Sequence, residues 1–318
     1  MRGKEFIEYD NPFDVGMAGL LGFSSGYRAM MNCDLLLMIG TDFPYQQFFP
    51  KYATIVQIDL RGEQLGRRTK VDLGLIGDTK STLEAIFPTL QQNSYEAHLK
   101  DSLEDYRKAR KELDELATGH PGRKPIHPQY VARVLNQLAA EDAIFTCDVG
   151  TPTVLAARYL TMNGKRRILG SINHGSMASA LPQAIGAQIS DPGRQVVVMS
   201  GDGGFAMLMG DLLTLRQQEL PVKIIVFKSD SLALVELKMN SGGILDFATD
   251  LHNPDFTKIA EGVGLVGLRA ETPEEVEPMM AEALAYGGPA LLEVVVSRRE
   301  LSMPLTITLE EAKSWPPL

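Results

Sequence analysis

The sequence has few cysteines, fewer basic than acidic side chains, and no long hydrophobic run. Its two cysteines, Cys33 and Cys147, lie in separate apolar, strand-like segments, which indicates buried thiols in a reducing compartment and argues against a cysteine metal site. The 31 basic and 40 acidic residues give a formal net charge of −9, which argues against a nucleic-acid partner.

No apolar run reaches the length of a membrane span, and Met1–Glu5 does not resemble a signal peptide, so we predict a cytoplasmic protein. Four histidines lie in helix, linker or loop contexts without metal-ligand spacing: His98, His120, His127 and His252. The fifth, His174, lies in a polar loop, where it could contact a substrate or bond to the backbone.

The 318 residues are enough for two domains. Apolar strands at 32–40 and 54–59 flank an aromatic loop and predict a Rossmann-like half-sheet. A highly charged helix at 95–117 and a linker at 118–125 follow. From Ile126 onward helices and strands alternate, which predicts a second domain with a parallel sheet.

A glycine-rich turn, Gly201–Gly204, follows the apolar strand 195–200 and opens a helix predicted over 205–218. The glycines let the backbone approach a ligand closely, and the helix N-terminus favours an anionic phosphate. Asp202 adds a hard oxygen ligand for Mg²⁺ or Ca²⁺. The pattern predicts a diphosphate bound through a metal, and the alternative is a tight turn with a solvated aspartate.

Polar residues also follow the neighbouring predicted strands. The strand 222–227 ends at Lys228–Asp230, and Ser229 comes 27 residues after Asp202, the length of one helix and one strand. Two upstream junctions have a similar composition: Asp148–Pro152 after a strand at 143–147, and Asn173–Met177 before a helix at 178–189. Because ligands of open α/β sheets bind at the carboxyl ends of the strands, these junctions favour the diphosphate interpretation.

Three segments, 148–153, 170–177 and 201–211, resemble enzymes that use thiamine diphosphate (ThDP), in particular the group of pyruvate oxidase and quinone-dependent pyruvate dehydrogenase. Further segments resemble the FAD-binding domain of that group: Arg2–Glu5, Glu8–Pro12 and Thr41–Tyr45. The resemblance implies an α/β fold of two doubly wound parallel-sheet domains. It divides the chain into a partial FAD-type central domain at 1–92, a helical connector and linker at 93–125, and a ThDP diphosphate-binding domain at 126–318.

The resemblance also implies the cofactors and the residues that hold them. ThDP would bind at Asp148, Gly150, Thr151, Gly175, Ser176, Met177, Gly201, Asp202, Gly203, Gly204, Ser229, Ser231 and Leu232. Within this set Asp202, Ser229 and Ser231 would ligate Mg²⁺, and Met177 would be the wedge that keeps ThDP bent. FAD would contact Gly19, Leu20, Thr41, Asp42, Phe43 and Asp59, although Asp59 could equally cap its strand. Because only part of the FAD-type domain is present, we predict weak or absent flavin binding.

The group catalyses the oxidative decarboxylation of pyruvate or a related 2-oxo acid, and the resemblance implies this function here. Two alternatives stay open: a non-oxidative relative of the acetolactate synthase or decarboxylase type, and a non-catalytic cofactor-binding or oligomerisation module. The glutamate that activates ThDP belongs to a pyrimidine-binding domain outside these residues, so the chain alone should not complete a cycle.

The expected partners are a small 2-oxo acid and either a second copy in a homo-oligomer or a chain that supplies the pyrimidine-binding domain. The membrane-binding C-terminal extension of the quinone-linked enzymes is also outside these residues, so we expect no membrane contact.

Several positions depart from the pattern of the group. Most members have asparagine where this chain has Ser229, and Lys228 beside it would either repel Mg²⁺ or reach the diphosphate. Ala233, Leu234 and Lys238 replace a glycine, an aromatic and an acidic residue. These changes fit either an altered substrate or an impaired site on a retained scaffold.

Overall fold

The computed structural model describes residues 1–119 and 124–298, and these residues divide into two compact units. The small unit is Pro12–Lys111, and the large unit combines Met1–Asn11 with the chain from Glu112 onward. This division differs from the expected boundaries at 92 and 125. Part of the expected linker, 120–123, and the last residues, 299–318, lie outside the described part of the chain.

The N-terminal segment belongs to the large unit because its short helix α1 (Lys4–Ile7) bonds to a strand there. The Glu5 carboxylate accepts from Arg167 Nε at 2.9 Å and from the backbone N–H of Ile168 at 3.1 Å. Contacts across 162 and 163 positions cannot be deduced from local sequence patterns, so the place of Met1–Asn11 in the large unit does not follow from the sequence.

The small unit contains a three-stranded parallel sheet of order β1-β2-β3. Its elements are α2 (Ser24–Met31), β1 (Leu35–Ile39), β2 (Thr54–Asp59), β3 (Leu73–Ile76), α3 (Thr79–Ile86) and α4 (Ala97–Leu116), the last of which continues into the large unit. Met38, Phe49 and Ile55 form its buried cluster. The predicted half-sheet and the charged helix are confirmed.

The large unit contains a six-stranded sheet of order β5-β4-β6-β7-β9-β8, in which all pairs are parallel. Its further elements are α5 (Pro128–Leu138), β4 (Ile144–Cys147), α6 (Thr151–Tyr159), β5 (Arg167–Gly170), α7 (Ala180–Ser190), β6 (Val196–Gly201), α8 (Asp202–Leu208), α9 (Leu212–Gln217), β7 (Lys223–Lys228), α10 (Ala233–Ser241), α11 (Phe256–Gly262), β8 (Val266–Ala270), α12 (Pro273–Ala285) and β9 (Ala290–Val295). The fold class expected from the sequence is confirmed.

The sheet of the large unit is buried on both faces. Along β6, Val197 and Met199 join one apolar cluster, whereas Val196 and Val198 join the cluster on the other face. Strands with this pattern are near-continuous apolar runs, because side chains alternate between two covered faces. The carboxyl ends of the strands therefore remain as the place where polar side chains and a ligand can meet.

The helix predicted over 205–218 is two helices. It begins earlier, at Asp202, and a 3-10 turn at Met209–Asp211 separates α8 from α9. Gly210 in this turn has low helix propensity, which accounts for the interruption. In the described part of the chain, no helix combines the length and the apolar character needed to cross a membrane.

One arginine fixes the C-terminal end of α5. Arg166 is buried, and its guanidinium donates to the carbonyls of Asn136, Ala139 and Ala140 at 3.1, 2.9 and 3.1 Å, respectively. The fork of N–H groups satisfies several carbonyls that a helix end leaves without partners. Lysine can reproduce neither the planar shape nor the number of bonds.

We therefore expect Arg166→Lys to lower the free energy of unfolding by about 2 kcal/mol, since several charge-assisted bonds are lost. Urea denaturation measures this change. Arg133→Lys is the matched control, because the Arg133 guanidinium makes long contacts of 3.4 Å to carbonyl oxygens. An equal effect of both substitutions would contradict the role of Arg166 at the helix end.

Candidate functional site

A cavity of about 220 Å³ lies in the large unit at the carboxyl ends of β4, β6 and β7. Twelve of the thirteen residues predicted to bind ThDP line it: Asp148, Gly150, Thr151, Gly175, Met177, Gly201, Asp202, Gly203, Gly204, Ser229, Ser231 and Leu232. The thirteenth, Ser176, is not among the lining residues, and its backbone N–H bonds to the Ser171 hydroxyl at 3.1 Å. The structure thus brings together four junctions that are distant in the sequence, at 148–151, 175–177, 201–204 and 229–232.

Asp202 lies at the start of α8 and is 2% exposed. Its Oδ1 accepts from the backbone N–H of Gly203 at 2.9 Å. Its Oδ2 accepts from the backbone N–H groups of Ser229 and Asp230 at 2.9 and 2.5 Å, and from Asn253 Nδ2 at 3.1 Å. Oδ1 therefore has fewer donors and is the oxygen with capacity for a metal ion.

Burial raises the pKa of Asp202 to about 6, because it disfavours the charged carboxylate. The N–H groups of Asp230, Gly203 and Ser229 oppose this rise by bonding to the charged form. A cation bound to this carboxylate would stabilise its charged form and lower its pKa again.

The oxygens around Asp202 have the chemistry that Mg²⁺ prefers. The Ser229 hydroxyl donates to the Ser231 carbonyl at 3.3 Å, so these two oxygens are neighbours in the loop after β7. Asp202, Ser229 and Ser231 all line the cavity. One carboxylate, one hydroxyl and one carbonyl from these residues would suit a metal that keeps waters as its other ligands. In residues 1–119 and 124–298, no group of three or more His, Cys, Asp or Glu forms an alternative metal site.

Asp148 has a structural role in the cavity wall. It is 1% exposed, and its carboxylate accepts from the Ala180 N–H at 2.9 Å and from the Ser200 hydroxyl. The Thr153 hydroxyl donates to its carbonyl at 2.6 Å. Burial raises the pKa of this carboxyl, and the bonds from Ser200 and Ala180 oppose the rise. Asp148 therefore joins β4, β6 and the start of α7 around the cavity.

The two glycines after Asp202 leave space that a side chain would fill. A Cβ at Gly204 would lie 2.5 Å from Asp148 Oδ2, and a Cβ at Gly203 would lie 3.1 Å from both Leu232 and Leu251. The same Gly203 position lies 3.5 Å from Met177 Cε, so Met177 is beside the glycine turn inside the cavity. Its role as a wedge beneath ThDP stays a prediction.

Sequence reasoning missed the residues that follow β9. Val296, Ser297 and Arg298 line the cavity together with Pro128 at the start of α5. The Arg298 Nε donates to Glu236 at 2.9 Å, and Glu236 also accepts from the Ser231 hydroxyl at 2.7 Å. The position directly after a strand could have indicated them, but the neighbour relation of β9 and β7 requires the sheet order.

The remaining residues singled out in the sequence lie in the cavity wall, on the surface or in the small unit. Leu234 lines the cavity, whereas His174 and Lys238 are exposed. In the small unit, Asp42 accepts from Arg68 Nε at 2.6 Å, and Asp59 Oδ1 accepts from the Arg61 N–H at 2.9 Å. The FAD contacts remain a prediction at Gly19, Leu20, Thr41, Asp42, Phe43 and Asp59.

Two protein-family descriptions match the chain. Residues 148–294 match the thiamine pyrophosphate enzyme, C-terminal TPP binding domain, and residues 1–86 match the thiamine pyrophosphate enzyme, central domain. Thiamine pyrophosphate is another name for ThDP. The first range contains the junctions of Asp148, Asp202 and Ser229, so the matched domain and the cavity coincide.

Relatives along nearly the whole chain include a protein named as thiamine pyrophosphate-containing, an acetolactate synthase and a pyruvate oxidase. YdaP of Bacillus subtilis strain 168, whose name describes it as thiamine pyrophosphate-containing, is 32% identical over 98% of this chain and 54% of the relative. Acetolactate synthase 1 of Oryza sativa subsp. japonica is 30% identical over 93% of this chain and 48% of the relative. A pyruvate oxidase of Lactiplantibacillus plantarum is 29% identical over 90% and 48%. The chain spans about half the length of the curated relatives that it matches.

Proposed function

Because this chain belongs to the thiamine pyrophosphate enzyme family, of which it carries the central and C-terminal domains, we propose that its large unit binds ThDP through Mg²⁺ at Asp202 and serves the decarboxylation of a 2-oxo acid. The observation that carries this proposal is the buried Asp202 at the glycine turn, whose Oδ1 faces fewer donors than Oδ2. The thiazolium of bound ThDP supplies the carbon nucleophile and electron sink for this chemistry.

The residues of this chain hold and orient the cofactor. Asp202 Oδ1, the Ser229 hydroxyl and the Ser231 carbonyl would hold Mg²⁺, while the start of α8 favours the diphosphate. Met177, beside Gly203 in the cavity, would contact bound ThDP and hold it in place. Apolar lining from Val149, Phe227, Leu232 and Leu234, among others, excludes water from the reacting carbon.

The proton transfer that activates ThDP is assigned to a glutamate of a pyrimidine-binding domain, on whichever polypeptide carries that domain. We propose that the cavity becomes a complete site when this domain covers it, in a homo-oligomer or in a complex with a second chain. An intramolecular proton transfer needs the aminopyrimidine to be held close to the thiazolium, which is the task of the bent conformation.

Two reactions are compatible with this site. Oxidative decarboxylation, as in the pyruvate oxidase relative, needs flavin or another electron acceptor; carboligation, as in the acetolactate synthase relatives, needs a second 2-oxo acid. The resemblance at Thr41–Tyr45 and Gly170–Met177 supports the oxidative reaction, whereas Leu234 in place of an aromatic residue weakens the case for pyruvate oxidation.

Product analysis separates these two reactions. The chain is combined with a pyrimidine-binding domain, ThDP, Mg²⁺, FAD and an artificial electron acceptor, and then supplied with carboxyl-labelled pyruvate. Acetate formed with reduction of the acceptor supports oxidative decarboxylation, and acetolactate formed without it supports carboligation. Release of no labelled CO₂ from pyruvate or from longer 2-oxo acids, by a complex that binds ThDP, would contradict the proposed enzymatic function and favour a binding module.

Ser229→Asn introduces the residue that most members of the group have here. We expect it to strengthen the Mg²⁺-dependent binding of ThDP about tenfold, because the asparagine side chain reaches further and its amide oxygen is a better neutral ligand than a hydroxyl. Titration calorimetry at fixed Mg²⁺ compares Ser229→Asn with the parent chain. Ser190→Asn, at the exposed C-terminal end of α7, is the control. Unchanged affinity in Ser229→Asn would remove Ser229 from the metal site.

A further inference from the structure

Lys228 does not line the cavity, although it directly precedes Ser229. Its side chain is 11% exposed, and its Nζ donates to both oxygens of Asp230 at 2.7 and 2.6 Å. The lysine is largely buried and bonds to both carboxylate oxygens, whereas the Asp230 side chain is 46% exposed. The lysine is thus committed to Asp230 and is not directed at the place of the diphosphate.

Asp230 is linked to the Asp202 carboxylate by one direct hydrogen bond and by a bridge through Asn253. Its backbone N–H donates to Asp202 Oδ2 at 2.5 Å, and the Asn253 amide group donates both to Asp202 Oδ2 at 3.1 Å and to Asp230 Oδ1 at 3.0 Å. Asp230 has a φ of 52°, in the left-handed region that aspartate tolerates better than most residues. Two carboxylates are therefore bridged by a single amide group.

The neighbouring carboxylates beyond this group have their own partners. Glu293 is fully buried, pairs with Arg269 and accepts from the Phe256 N–H at 3.0 Å. Asp255 caps α11 and lies 3.5 Å from Lys258. Asp148 and Arg298 also line the cavity, and Arg298 is paired with Glu236. Directly at the end of β7, Asp202, Asp230 and Lys228 contribute two negative charges and one positive charge.

We propose that Lys228 offsets the negative charge of Asp230 beside Asp202, so that the divalent metal binds well only together with the diphosphate. A single carboxylate attracts a hydrated divalent cation weakly, whereas two carboxylates would capture it without cofactor. A second free carboxylate would also repel the anionic diphosphate. Lys228 thus lowers the affinity for the metal alone and raises the affinity for the diphosphate. This inference rests on the proposed ThDP site.

The test measures two affinities in the full chain: Mn²⁺ alone, from the electron paramagnetic resonance of free Mn²⁺, and ThDP at saturating Mn²⁺, from titration calorimetry. In Lys228→Met we expect the affinity for Mn²⁺ to rise about tenfold and the affinity for ThDP to fall about tenfold, since one positive charge is removed from both ligands' surroundings. In Asp230→Asn we expect both changes in the opposite direction.

The double substitution Lys228→Met with Asp230→Asn restores the net charge and is expected to return both affinities to within about threefold of the parent. Lys165→Met is the control for loss of a lysine, because Lys165 pairs with Glu141 on the exposed surface. If Lys228→Met does not fold, Asp230→Asn alone still tests the direction in which the affinities for Mn²⁺ and ThDP change.

Unchanged affinities for Mn²⁺ and ThDP in Lys228→Met would overturn the inference. A fall of both affinities would also overturn it, because it would show that Lys228 only stabilises the loop after β7. The proposed function fails separately, when the parent chain binds no ThDP with Mn²⁺ present. In that case the Mn²⁺ measurement still decides whether the pair controls the affinity for the metal.

Discussion

Asp202→Asn is expected to weaken Mg²⁺-dependent ThDP binding at least about a hundredfold and at the same time to stabilise the ligand-free chain. The loss of binding follows from the loss of the charged ligand oxygen, since even residues that only orient a ligand change metal affinity by about 10–100-fold. Titration calorimetry with Mg²⁺ measures this loss.

The gain in stability follows from the pKa of Asp202, which folding raises from 3.8 to about 6. Between these values the folded state binds more protons than the unfolded state, so stability falls as the pH rises through this range and the full penalty is present above pH 6. The Asn side chain is neutral and avoids this penalty, but it loses the bond from the Gly203 N–H. We therefore expect a net gain of about 1 kcal/mol at pH 7.5, and none at pH 4.

Asp255→Asn is the matched control, because the same substitution there should have the opposite sign. Asp255 caps α11 by accepting from the Thr257 and Lys258 N–H groups. The bond from the Thr257 hydroxyl, followed by that from the Lys258 N–H, lowers the pKa of Asp255 to about 2. This substitution should destabilise the chain at pH 7.5 and leave ThDP binding unchanged. A loss of stability in Asp202→Asn equal to that in Asp255→Asn would contradict the assignment of Asp202 as a destabilising functional carboxylate.

Gly204→Ala is expected to lower the free energy of unfolding by about 3 kcal/mol, because its Cβ would lie 2.5 Å from Asp148 Oδ2. Asp148 cannot withdraw without breaking its bonds to Ala180 and Ser200. Since these bonds join strands β4 and β6 to the start of α7, the substitution should also weaken ThDP binding. Thermal and urea denaturation measure the first effect, and calorimetry the second.

The control is Gly186→Ala in the interior of α7, where no heavy atom lies within 4 Å of the added Cβ. Because alanine has the higher helix propensity, this substitution should stabilise the chain by about 0.5–1 kcal/mol. A destabilising effect of Gly186→Ala similar to that of Gly204→Ala would show that the effect does not depend on Asp148.

The sequence allowed the parallel sheet and the Asp202–Ser229 pair to be predicted, because both depend on local features. Strand β6 is a continuous apolar run, and the spacing of 27 residues fits one crossover helix and one strand. The same reasoning failed at the helix after Asp202, where Gly210 interrupts a pattern that is otherwise periodic.

The contacts that depend on sheet order could not be predicted. Arg298 reaches the cavity because β9 lies beside β7, and Asn253 reaches Asp202 through a loop that pairs with the backbone of residues 230–232. Neither follows from a motif or from periodicity. The pair of Lys228 with Asp230 differs from both roles predicted for this lysine, and it depends on the left-handed backbone of Asp230, which no local pattern indicates.

The central claim is that Asp202 and the glycine turn hold ThDP through a divalent metal. Titration of ThDP into the purified chain, first with Mg²⁺ and then with EDTA, tests it most directly. We predict a saturable binding heat with Mg²⁺ that disappears with EDTA and in Asp202→Asn. Equal binding with Mg²⁺ and EDTA, or no binding by the parent chain under either condition, would contradict it.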